Sequence, residues 1–183
     1  MLRLFVGLSL PDGVIARLAM LSSGLPGANW VEPANLHITL RFIGEVQESQ
    51  AEEVDYLLAG IEAEALPVEL AGLGTFGEGA KAQALWVRVT PSPGLAHLQA
   101  KVESACVRAG LEPEGRKFTP HVTLARLNKP QPARLQTYIE ANNLFSAGPF
   151  AVDRFTLFES RLGKGGAVYI PQVDYDLNVP GTF

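Results

Sequence analysis

The tetrad His-apolar-Thr-Leu occurs twice in this chain, as His37-Ile38-Thr39-Leu40 and His121-Val122-Thr123-Leu124, although there are only three histidines in all. Each copy closes a similar run of apolar strand, helical pattern and second strand. Leu4-Phe5-Val6 aligns with Leu85-Trp86-Val87, and Pro11 with the Pro91 and Pro93 pair. The spacing from the aligned Leu to the His is 33 residues in the first copy and 36 in the second. A chain repeated in this way is constrained to two similar β-α-β units, about residues 2–45 and 83–127, related by a pseudo-two-fold axis and facing one cleft. No low-complexity linker separates them, so residues 1–183 are expected to form a single bilobal domain.

Periodicity supplies the remaining elements. "RLFVGLSL" and "LHITLRFIGEV" read as strands, and "PDGVIARLAMLSSGL" as a helix with Pro near its first turn. A second helix is expected from about Gln47 to Glu64, then a strand "LPVELAGLGTFG". The second unit offers a strand "QALWVRV", a helix "PSPGLAHLQAKVESACVRAG" with Gly110 as C-cap, and a strand "KFTPHVTLARL". A further helix from about Ala133 to Asn142 follows. The strands "GPFAVDRFTLFESRL" and "GAVYIPQVDYDL" flank the hairpin signal "GKGG".

Alternate residues of a strand share a face, so His37 and Thr39 point one way and Ile38 and Leu40 the other; the second copy repeats this. A lone strand histidine is ordinarily a half-buried residue satisfied by its neighbours. Composition alone, however, would produce this pair with a chance on the order of one in 10⁴–10⁵. Duplication could create the two motifs without function, but drift would not spare polar residues in preference to better strand formers.

The rest of the sequence narrows the chemistry. Two histidines on separate units, no His-x-His and one remote Cys106 do not make a zinc ligand set. There is no G-x-S-x-G elbow, Walker loop or G-x-G-x-x-G, and "GKGG" lacks both the spacing and the following helix of a phosphate loop. A net charge of −4 argues against extended wrapping of nucleic acid, yet leaves room for a pocket that holds one phosphate. Two imidazoles across a cleft suit acid–base work: one neutral and accepting a proton, the other charged and donating one. The threonine hydroxyls on the same face can donate to phosphate oxygens. Together these point to metal-free, in-line attack on a phosphodiester, particularly a strained cyclic one.

These residues resemble the signature of the two-histidine (2H) phosphoesterase superfamily. Within it the chain is similar to the bacterial and archaeal RNA 2′,3′-cyclic phosphodiesterases, also called 2′-5′ RNA ligases. The likeness runs through "RLFVGLSLP", "WVEPANLHITLRFIGEV", "LWVRVTPSPGLAHLQ", "FTPHVTLARL" and "FTLFESRLGKGGAVY". It implies an α+β fold of two pseudo-symmetric, mainly antiparallel lobes with helices outside and a central cleft. It implies hydrolysis of RNA 2′,3′-cyclic phosphate ends to 2′-phosphates without metal or other cofactor, and joining of tRNA halves through 2′-5′ linkages. It casts His37 as proton donor and His121 as proton acceptor, with Thr39 and Thr123 on the phosphate.

The family pattern also suggests Phe42 near the nucleoside and Arg126 near phosphate. Strict alternation puts both on the face opposite the histidines, so that reading requires a bulge or strand end; otherwise Phe42 is core and Arg126 a surface cation. Arg41 has cleft parity but suits a solvated strand position equally. Arg161 could approach phosphate or pair with Glu159, and His97 reads as structural. The alternatives are a 2H enzyme for another cyclic phosphodiester, such as cyclic ADP-ribose phosphate, and a non-catalytic RNA- or nucleotide-binding module on this fold. The apolar start breaks at Pro-Asp-Gly after ten residues, so a cytoplasmic monomer with no membrane partner is expected.

Overall fold

The computed structural model describes residues 1–179. Nine strands and four α-helices follow in the order β1 (Leu2–Ser9), α1 (Asp12–Ala19), β2 (Asn29–Trp30), β3 (His37–Val46), α2 (Glu48–Ala59), β4 (Leu66–Phe76), β5 (Ala84–Val89), α3 (Pro93–Arg108), β6 (His121–Arg126), α4 (Pro132–Asn142), β7 (Ser146–Val152), β8 (Arg154–Gly163) and β9 (Gly166–Asp176). They build two antiparallel sheets, ordered β3-β1-β8-β9 and β2-β6-β5-β4-β7. This is the expected α+β architecture of two sheets about a cleft.

The apolar run of β1 reflects its central place between β3 and β8. Leu4, Val6 and Leu8 are buried in the core, while Phe5 packs against the ring of His37. One hydrophobic cluster continues from there through Leu85, Val87, Val122 and Leu124 of the second sheet. The first sheet curls until its two edges nearly meet. Asn35, just before β3, donates from Nδ2 to the Ala167 carbonyl of β9 at 2.8 Å. Its Oδ1 accepts from the Tyr169 N–H at 3.4 Å.

The connections sew the sheets together. β2, inside the first unit, pairs with β6 of the second sheet, and the Val31 N–H continues the contact to Leu124 O at 2.8 Å. Helix α3, inside the second unit, packs on α2, β3 and β4. Gly110 ends α3 at φ 95°, with bonds from Gly110 N–H to Val107 O (3.0 Å) and Leu111 N–H to Cys106 O (3.1 Å). This is the glycine-dependent termination expected of that position.

Several boundaries differ from the sequence expectation: α1 stops at Ala19 rather than Leu25 and β6 starts at His121 rather than Lys117, and three further differences have a clear physical cause. Helix α2 ends at Ala59 rather than Glu64. The segment after it is drawn into extended contact with the chain's end, where Asn178 N–H bonds Ala63 O and Ala65 N–H bonds Asn178 O, both at 2.8 Å. Tertiary pairing there overrides helix propensity. The run "GPFAVDRFTLFESRL" is two strands, because the chain changes sheets at Asp153: β7 pairs with β4, and β8 with β1 and β9. The two-residue β2 carried no periodic signal. Among the described residues no helix is long and apolar enough to cross a membrane.

Candidate active site

His37 and His121 stand at the first positions of β3 and β6, and both line one cleft of about 1250 Å³. Their rings are anchored alike. His37 Nδ1 lies 2.7 Å from Asn35 O, and His121 Nδ1 lies 2.6 Å from Thr119 O, in each case the carbonyl two residues back. A carbonyl oxygen can only accept, so each Nδ1 carries a hydrogen and each Nε2 is left to gain or lose the exchangeable proton.

Burial pushes both imidazoles below the ordinary value of 6.5, against the raising effect of those carbonyl bonds. His37 is further lowered by the charge of His121. The two rings therefore sense each other electrostatically, and protonating one disfavours protonating the other.

Thr39 and Thr123 line the same cleft. The Thr39 hydroxyl lies 2.8 Å from His37 Nε2; among the described residues no protein group bonds Nε2 of His121.

An identical irregularity in each strand settles where Phe42 and Arg126 go. In β3 the register with β1 runs Gly7↔Thr39 and then Val6↔Arg41, so Leu40 is an extra residue. In β6 the register with β5 runs Trp86↔Thr123 and then Leu85↔Ala125, so Leu124 is extra. A one-residue bulge resets the alternation. Leu40 and Arg41 are consecutively buried, as are Leu124 and Ala125, and the next residue of each strand turns into the cleft. That residue is Phe42 in one copy and Arg126 in the other. Among the described residues Arg126 has no carboxylate partner, while Phe42 carries the Arg3 guanidinium 5.4 Å above its ring.

The other candidates fall as follows. Arg41 lines the cleft, as its parity suggested, but is no solvated strand residue: it is 8% exposed and its guanidinium is committed to Glu103 of α3 at 2.6 Å. Arg161 forms the expected pair with Glu159, its Nη2 donating to Oε2 at 2.9 Å, and the pair lines the cleft. His97 sits on an exposed position of α3 outside the cleft.

Sequence reasoning did not single out the aromatic walls. Phe5 lies 4.8 Å from His37, and Tyr169 meets its ring edge-on at 5.2 Å. Phe76 meets His121 edge-on at 4.8 Å, with Trp86 at 5.8 Å. The alignment of Phe5 with Trp86 held the signal for two of these; Tyr169 comes from the hairpin outside both repeats and had none.

Charge is segregated as well. The cleft collects six of the 15 Lys and Arg side chains but only four of the 19 Asp and Glu. An acidic protein thus offers a locally cationic groove, the arrangement that draws in anions. Among the described residues no three His, Cys, Asp or Glu side chains cluster as metal ligands. The site can exchange protons at two nitrogens, hydrogen-bond an anion through two hydroxyls, and balance its charge with Arg126.

Comparison with known proteins agrees with this geometry. The RNA 2′,3′-cyclic phosphodiesterase of Aeropyrum pernix is 37% identical over 162 residues, covering 86% of this chain and 91% of that protein. Its Bacillus subtilis counterpart is 29% identical over 167 residues, covering 87% and 88%. The crystal structure of E. coli LigT complexed with 3′-AMP superposes with a TM-score of 0.78 at 26% identity, covering 96% of this chain and 98% of that one. The model of the 2′-5′ RNA ligase superfamily matches residues 11–164, and the chain belongs to that superfamily.

Proposed function

We propose that this protein hydrolyses RNA 2′,3′-cyclic phosphate ends to 2′-phosphates, using its own side chains without metal or other cofactor. The observation that carries this reading is the matched anchoring of His37 and His121 in one cleft, each with Nδ1 on a carbonyl and with Nε2 as the nitrogen left to exchange a proton, that of His37 beside the Thr39 hydroxyl. Family membership and the phosphodiesterase names of the relatives point to the same chemistry.

In the proposed reaction His121 takes a proton from water as the water oxygen bonds to phosphorus. The P–O3′ bond breaks, and His37 protonates the departing O3′. The product is a 2′-phosphate with a free 3′-hydroxyl; proton exchange with solvent returns both imidazoles to their starting states. Thr39, Thr123 and Arg126 hold the non-bridging phosphate oxygens, and Phe42 packs against the nucleoside. A 5′-hydroxyl in place of water gives a 2′-5′ phosphodiester by the same bond changes, a route to joining tRNA halves. We assign the protein to the cytoplasm as a monomer, a setting consistent with its single free Cys106.

The deciding experiment is turnover of a 2′,3′-cyclic nucleotide in EDTA, with the product identified by phosphorus NMR. A 2′-phosphate formed at an undiminished rate is expected. Loss of turnover restored by one divalent metal, or a 3′-phosphate product, would refute the mechanism.

A further inference from the structure

The β3 bulge that turns Phe42 into the cleft leaves Arg41 buried at the cleft wall, and what its guanidinium does there has no counterpart in the second repeat. Its guanidinium is spent on three acceptors. Nε bonds Glu103 Oε2 at 2.6 Å, Nη1 bonds the Phe42 carbonyl at 2.8 Å, and Nη2 bonds the Glu112 carbonyl. The other Glu103 oxygen accepts the Glu114 N–H at 2.8 Å. The equivalent bulge residue of β6 is Ala125, fully buried. A methyl group therefore suffices to fill this place in the fold. An ion pair with its Arg buried and its Glu half-buried is an expensive alternative, since both partners give up much of their water.

The pair's contacts show what the charge is for. Two of its bonds reach the segment between α3 and β6, a stretch with no helix or strand. That segment carries Arg116, whose side chain is 94% exposed, and Lys117, also exposed; both face the cleft shortly before His121. An irregular loop carrying two exposed cations, with Arg116 Nε 3.8 Å from Glu114 Oε1, is held at the groove by a largely buried salt bridge anchored on β3. The cleft, at about 1250 Å³, also exceeds the roughly 300–1,000 Å³ usual for a small-molecule site.

We infer that residues 112–118 form a strap whose Arg116 and Lys117 bind the internucleotide phosphates of an oligonucleotide, and that Arg41 and Glu103 are positioning residues that latch it. The inference rests on the cyclic-phosphodiesterase reading. A 3′-terminal cyclic phosphate leaves the RNA only one direction in which to continue, through O5′ of the terminal nucleoside. The next anionic groups are therefore the internucleotide phosphates on that side. A cyclic mononucleotide has none and cannot use the strap.

The test compares kcat/KM on a cyclic mononucleotide with kcat/KM on a short oligoribonucleotide ending in a 2′,3′-cyclic phosphate. The double variant Arg116→Ala/Lys117→Ala should lower the preference for the oligonucleotide roughly tenfold. It should also flatten the salt dependence of log kcat/KM for that substrate by ~1.4, about 0.7 for each phosphate released from contact on a single strand. Arg41→Met should lower the same preference while keeping both strap cations, which a general loosening of the fold would not do selectively. Equal losses on both substrates, or an unaltered preference in the double variant, would overturn the strap. An unaltered preference in folded Arg41→Met would overturn the latch, and the double variant decides the strap if Arg41→Met does not fold. Wild-type protein inactive on both substrates would instead overturn the phosphodiesterase reading, and the strap with it.

Discussion

The Thr39 hydroxyl bonds Nε2 of His37 at 2.8 Å, whereas the matching Thr123 makes no bond to His121. The two repeats supply the same residue types in unequal states. His37 has both ring nitrogens engaged by its own strand and the turn before it, and among the described residues His121 has only Nδ1 engaged. A phosphate entering between them must compete with Thr39 for the His37 proton but meets His121 Nε2 open. Thr39→Val should therefore reduce kcat by about tenfold, through loss of one hydroxyl. His37→Ala and His121→Ala should each reduce it by ~10² or more, the scale of a missing general acid or base. Steady-state turnover of a cyclic mononucleotide checks the order; a threonine effect equal to that of its histidine would contradict it.

The depressed imidazoles set a pH signature for catalysis. Since burial lowers both from 6.5, and one must be charged while the other is neutral, the bell-shaped kcat/KM profile should be centred below that value. An anionic substrate favours the charged form, so the kcat profile should lie at higher pH than the kcat/KM profile. A kcat/KM maximum above pH 7.5 would be inconsistent with two desolvated imidazoles.

The same shifts bear on stability. A histidine whose folded value is depressed binds fewer protons folded than unfolded, so its contribution is fully present above the ordinary 6.5 and is lost as pH falls through the folded value. Melting temperature should therefore fall between about pH 7 and pH 5, the range of imidazole titration. His37→Asn/His121→Asn should flatten that decline. A decline of equal slope in the double variant would trace it to other groups.

What could be read in advance follows the reach of local patterning. The two tetrads, the helix stop at Gly110 and the "GKGG" hairpin depend on neighbours close in sequence, and the structure has them where expected. The orientation of Phe42 and Arg126 depends on whether β1 and β5 skip Leu40 and Leu124. Cross-strand pairing decides that, and period-2 reasoning alone points both side chains the wrong way. The change of sheet at Asp153 is similar: "AVDRF" reads as continuous strand, and only the competition between β4 and β1 for partners divides it. Arg41 required knowing that α3 of one repeat lies against β3 of the other.

Support for His121 should be vulnerable at Gly74. A Cβ there would stand 2.3 Å from Cη2 of Trp86, the ring that lies 5.8 Å from His121. Among the described residues no group bonds the buried Trp86 Nε1, so the indole's position there depends on packing. Gly74→Ala should cost ~1–3 kcal/mol through overpacking and lower kcat as the displaced indole presses on His121. Chemical denaturation and turnover of the folded variant check both; a neutral substitution would show that Trp86 has room to retreat.

The assignment of acid and base can be separated from the loss of either histidine. Departure of a low-pKa leaving group needs little proton donation, while attacking water must still lose its proton. With His37 as the acid, His37→Ala should recover much of its lost rate on a diester carrying an activated leaving group in place of O3′. His121→Ala should stay slow on the same substrate, because removal of the water proton is unaffected by the leaving group. The unequal engagement of the two Nε2 atoms fits this order: Thr39 can hold a proton near His37 for donation, while His121 stays open to accept one. Rescue of His121→Ala and not His37→Ala would reverse the roles. Rescue of both or of neither would refute a division of labour between the two imidazoles.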